Sequence, residues 1–154
     1  MKSALETTYE ITKLVKYFPR RGQLFDEIKD DIAPGTPGVR GLCPTRWTVR
    51  ADSMLSIIQN YTVLNELWDK ACNVVGDTET IARIRGAAAQ MASFEFFVGL
   101  ILGEMLLRHT DKLSRTLQHD HVSAAEGQAI ATMTTATLAS LRNDEHFDLV
   151  WEKV

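Results

Sequence analysis

With 154 residues, of which 45% are hydrophobic and 24% charged, the chain has the length and composition of one globular domain with a sizeable core, which excludes a disordered tail. Its two cysteines, Cys43 and Cys72, are too few for a disulfide framework and lack metal-type spacing, as suits a reducing compartment. The net charge of -3 hides an asymmetry: nine Lys/Arg stand against six Asp/Glu through Arg50, and eight against fourteen from Ala51 onward.

The amino terminus, Met1 to Glu6, carries lysine, serine and glutamate where a secretory signal places an apolar stretch, so no export is implied and a nuclear or cytoplasmic location is expected. From Ser3 to Tyr17 the spacing of Ile11, Leu14, Val15 and Phe18 predicts a helix with one apolar stripe. Pro19 ends it and fits the first turn of a second helix, Pro19 to Ile32. That helix is expected to bury Leu24, Phe25, Ile28 and Ile32 and to turn Asp26, Glu27, Lys29, Asp30 and Asp31 outward. The carboxylates there read as a solvated face, since no ligand set converges on them from elsewhere. Ala33 to Gly41 is rich in proline and glycine and reads as a flexible connector; it lacks the lysine and hydroxyl pattern of a phosphate-binding loop.

Beyond the connector, Met54, Ile57, Ile58, Tyr61, Leu64, Leu67 and Trp68 keep helical spacing, predicting one helix of about 25 residues from Thr48 to Cys72 as the central packing element. Gly76-Asp77-Thr78 marks a stop and a cap, with Glu79 in the first turn of a helix expected to run to Arg108. Within it Met91 to Leu107 is almost wholly apolar. A membrane span is rejected because Glu95 and Glu104 lie inside, each costing about 2.5 to 3.5 kcal/mol on insertion. The stretch reads instead as a helix surrounded by others, with Gly99 and Gly103 as a packing notch. His109, Asp111, His119, Asp120 and His121 are read as loop residues without a third metal ligand. Thr110 is placed as the cap of a short helix bearing Leu113 and Leu117. Ser123 and Glu126 have capping-box spacing ahead of a stripe of Ile130, Met133, Thr137, Leu138 and Leu141. Asn143 to Val154 closes with Phe147, Val150, Trp151 and Val154 on one side, a side left unfinished where the sequence stops. The fold class expected is all-α, a multi-helix bundle, with residues 1–41 as a helix pair and connector and 42–154 as the bundle, in one structural unit.

Between connector and bundle stands Cys43-Pro44-Thr45-Arg46-Trp47, followed by Ser53-Met54-Leu55. An arginine's planar donor fork suits phosphate oxygens or a guanine edge, and a neighbouring tryptophan can stack on an unpaired base. The same two residues also read as a hydrophobic anchor beside a solvated charge. The run resembles the C-x-TRW signature of hAT superfamily transposases, and most of the chain is similar to the transposase-like region of zinc finger MYM-type protein 1-like proteins. The resemblance implies that the chain is part of the helical insertion of an RNase-H-like transposase. It also implies that Arg46 and Trp47 are DNA-contacting residues. The metal-holding catalytic acids of the family lie outside the matched part, so no enzyme activity, metal or cofactor is expected of this chain. Any DNA contact is expected near Lys13, Lys16, Arg20, Arg21, Arg40, Arg46 and Arg50. A different class of function, an α-helical protein-interaction or dimerisation module meeting itself or the remainder of a longer protein, is suggested by the apolar Met91–Leu107 stretch and the unfinished last helix.

Overall fold

Helix α1, Lys2–Lys16, buries Ile11, Leu14 and Val15 as the spacing predicts, but it also turns three threonines inward. Two of these hydroxyls are satisfied on the helix itself, Thr8 donating to Ala4 O at 2.7 Å and Thr12 to Tyr9 O at 2.9 Å. Local bonding of this kind lets a polar side chain enter a core at little cost. The computed structural model describes residues 2–16, 19–43, 47–119 and 121–153, with Trp47 by its backbone only. Phe18 and Val154, each expected on an apolar stripe, lie outside the described residues.

Helix α2, Pro19–Ile32, starts at its proline and buries Phe25 and Ile28. Ile32 departs from expectation at 44% exposed, because the chain turns away at the next residues and lays nothing over it. The turn ends at Gly35, whose φ of +82° is a conformation that glycine adopts without a Cβ clash. The connector that follows is pinned to the helices and is not the free linker its composition suggests. Pro37 O accepts from the Asn60 side chain at 2.8 Å, Val39 enters the core, and the Arg40 N–H donates to Ser56 Oγ at 2.8 Å.

The single helix expected from Thr48 to Cys72 is three pieces: a 3-10 turn at Trp47–Val49, α3 at Arg50–Gln59 and α4 at Tyr61–Val74. The break falls on Asn60. Its buried amide donates to Ser56 O as well as Pro37 O, each at 2.8 Å, so the side chain competes for a carbonyl of the preceding helical turn. The helix expected from Asp77 to Arg108 is likewise divided into α5, Thr78–Met91, and α6, Phe94–Leu117, with a 74° bend between them. Ser93 makes the corner: its hydroxyl accepts from Phe96 N at 3.2 Å and donates to Gln90 O at 2.7 Å, capping the new helix as it closes the old one. No cap falls at Thr110, which donates to Leu107 O inside the continuing α6.

Helix α6, and not the region of α3 and α4, touches the most elements: it packs on α1, α3, α5, the 3-10 turn, α7 (Ala124–Ser140) and α8 (Asp144–Trp151). Helices α1 and α2 join the later helices through α1 against α3, α5 and α6 and through α2 against α4, so the described core is one cluster. Its fully buried members include Ile11, Leu14, Met54, Ile57, Leu64, Leu67, Ile84, Met91 and Leu100. Each such side chain contributes about 1.5 to 3 kcal/mol of burial. Among the described residues the architecture is an all-α multi-helix bundle of eight α-helices and one 3-10 turn, with no strand. No single described helix is long and apolar enough to cross a membrane; the bent α5–α6 pair reaches that length and composition only when taken together.

The carboxy-terminal pair departs most from its predicted burial. The Ser123 and Glu126 capping box is present, yet α7 buries none of its residues, and Met133 is 70% exposed. In α8 only Val150 is buried, while Phe147 and Trp151 stand in solvent.

Candidate nucleic-acid interface

Both flanks of the signature segment are tied to the bundle. Upstream, the connector crosses α1 and α3: Leu42 N donates to Thr12 Oγ1 at 3.5 Å, and Ser53 Oγ donates to Arg40 O at 2.9 Å. Gly41 passes so near Lys16 that a β-carbon there would stand 3.7 Å from Lys16 Cδ. Downstream, the 3-10 turn is held by α6, where Arg115 donates to Thr48 O through Nη2 at 2.7 Å and Nε at 3.3 Å. Arg46 lies outside the described residues, as does the Trp47 side chain, so the pair expected to meet DNA is placed only by these flanks.

Cations gather where the flanks meet. Arg40 Nη1 and Arg115 Nη2 both reach Asp52 Oδ2, at 3.4 and 3.1 Å, so one carboxylate in the first turn of α3 is shared by two guanidinium groups. Each guanidinium carries five donors, which leaves capacity toward solvent on both exposed arginines. Lys16 is exposed beside the connector, and Arg50 is half-buried at the start of α3. Beneath them Asp111 is buried and accepts from Ala51 N at 2.9 Å. Burial pushes its carboxyl above the usual carboxylate range; the Ala51 hydrogen bond and Arg115 pull the other way.

The remaining basic residues named from sequence are dispersed. Lys13 is half-buried on α1, and Arg20 is exposed at the start of α2. Arg21 is buried, its guanidinium pKa lowered by desolvation and by the nearby Arg83 charge, which makes it a structural residue and not a surface contact. Arg20 and Arg21 instead line a groove of about 840 Å³ between α2 and the α4–α5 junction. Glu27, Asp77, Leu24 and Val74 line it too, and its two carboxylates oppose the approach of a phosphate backbone. Sequence reasoning missed Arg115 and placed His109 and Asp111 in a loop, whereas both lie within α6 and Asp111 is buried; Arg115 and Asp111 stand 67 and 60 positions from Thr48 and Ala51, the partners they reach. Among the described residues, no three His, Cys, Asp or Glu side chains come together in a metal-holding group. No family model, curated protein or solved structure gives a significant match to the chain.

Proposed function

We propose that the chain is a non-catalytic helical segment of a hAT-type transposase-like protein, acting in the nucleus or cytoplasm, in which the segment carrying Arg46 and Trp47 meets DNA. One observation carries this reading: Lys16, Arg40, Arg50 and Arg115 come from four separate parts of the chain to stand beside the two anchored flanks of that segment. Fixed ends lower the entropy lost when a loop closes on a ligand, and the cations supply a salt-sensitive attraction to phosphate. Arg46 then contributes phosphate or base-edge hydrogen bonds and Trp47 a stacking face. Turnover is not assigned to this segment.

Titration of the chain with hairpin DNA at two salt concentrations tests the proposal. Binding is expected to weaken as salt rises, and Trp47→Ala and Arg46→Ala are each expected to weaken it about tenfold, in line with roughly 1 to 3 kcal/mol per stacked base or bidentate contact. Arg142→Ala, at the α7–α8 turn, is the basic control and is expected to leave affinity unchanged. Equal affinity for all four proteins removes the signature segment from DNA binding. A second reading, a helical protein-interaction module, is favoured by a separate observation: Phe94, Phe147 and Trp151 form an exposed aromatic group.

A further inference from the structure

The exposed aromatic group is built by two helices. Trp151 of α8 lies nearly parallel to Phe147, with ring centroids 6.1 Å apart and 18° between planes, and meets Phe94 of the first turn of α6 edge-on at 5.9 Å and 71°. The three side chains remain 58 to 61% exposed, so contact among the rings leaves much of each in water. A hollow lies on either side of this ridge. One of about 330 Å³ is bordered by Phe147 with Leu102, Met105 and Leu141, and another of about 340 Å³ by Phe94 with Tyr61 and Phe97. Exposed carboxylates stand on the same elements: Glu95 on α6, Asp144, Glu145 and Asp148 on α8, and Glu152 just after it, against two exposed cations, Arg142, which lines the first hollow, and Lys153 beside Glu152. None of the five forms an ion pair among the described residues.

We propose that this face docks an amphipathic, lysine- or arginine-bearing helix of a partner protein, an inference that rests on the protein-interaction reading. The hollows accept apolar side chains from one side of such a helix, the ridge of rings packs between them, and the carboxylates meet its cations. Charge decides among occupants. A second copy meeting this face with its own equivalent surface would bring like carboxylates together, and an anionic lipid surface would be repelled by them.

Fluorescence anisotropy on the full chain, with a labelled lysine-rich helical peptide carrying leucine along one side and a counterpart with glutamate for lysine, tests the inference. The basic peptide is expected to bind, less tightly as salt rises, and about tenfold more weakly to Trp151→Ala. Asp148→Lys and Glu152→Lys, both at exposed positions, are expected to weaken it comparably and decide the matter should Trp151→Ala lose its helical circular dichroism. Equal binding of both peptides overturns the basic partner and leaves the interaction reading standing. Failure of both peptides, or indifference of both to Trp151→Ala, removes the two together. Sedimentation showing self-association abolished by Trp151→Ala assigns the face to a second copy and overturns the inference, as does Trp151-dependent binding to lipid vesicles.

Discussion

Asp111 is a buried acid that accepts from the Ala51 N–H at the start of α3, sixty positions away in the chain. Because burial raises its pKa, the folded chain holds a proton at pH values where the unfolded chain has released it. Its contribution to stability therefore falls as pH rises from the ordinary carboxylate value through the raised folded value. Asp111→Asn keeps a carbonyl to accept from Ala51 and removes the charge, so urea midpoints measured across acid to neutral pH are expected to lose that fall. Asp111→Ala leaves the Ala51 N–H buried without its acceptor and is expected to cost about 1 to 3 kcal/mol in acid, where the wild-type acid is protonated, and less as pH rises. An Asp111→Asn midpoint that follows the wild-type pH profile defeats this account. Asn60 is another side chain whose role depends on distant backbone, since its amide holds Pro37 O and thereby ties the connector to the α3–α4 corner.

At the level of the helix, the starts of α5 and α7 are fixed by local capping. Asp77 accepts from Thr80 N at 2.9 Å, and Glu126 accepts from Ser123 N at 2.9 Å while the Ser123 hydroxyl receives Glu126 N at 3.3 Å. Hydrogen bonds from Thr80 hold the Asp77 carboxyl below its usual range, and those from Ser123 do the same for Glu126. For a depressed acid the stabilisation is present above the unfolded pKa and is lost as pH falls through the folded one. The amide signals of Ala124 to Gly127 are accordingly expected to shift toward unfolded values on acidification, and Glu126→Gln is expected to abolish that transition. Persistence of the transition in Glu126→Gln would assign it to another group. Both caps were legible in sequence because each rests on residues three apart. The breaks at Asn60 and Ser93 were not. Apolar spacing runs through both positions, and the Asn60 corner depends on a carbonyl of the connector that no local window contains. The candidate interface was legible only in part for the same reason. Arg46 and Trp47 stand in a recognisable run, whereas Arg115 and Asp111 become neighbours of that run only when α6 packs on α3.

Across the whole molecule, apolar spacing reports which residues avoid water without reporting whether a neighbour is there to cover them. Leu64 and Leu67 are fully buried on α4, which packs against α2, α3 and α5, whereas α7 meets α6 alone. Four threonines of α7, at 132, 134, 135 and 137, return their hydroxyls to its own carbonyls four residues back, so they add no link to another helix. Local opening follows the burial that opposes it, which sets α7 at the weak end of the bundle and α3 and α4 at the strong end. Native-state hydrogen exchange is therefore expected to show α7 amides opening well below the global unfolding free energy, with α3 and α4 amides reaching it. Met133→Lys, at a position 70% exposed, is expected to change the urea midpoint by no more than about 0.5 kcal/mol equivalent, while Leu64→Ala costs roughly 2 to 5 kcal/mol. Exchange from α7 as slow as from α4 would mean that the helix is sheltered by an association of chains in solution, and the Met133→Lys variant would then lose that protection while keeping its own fold.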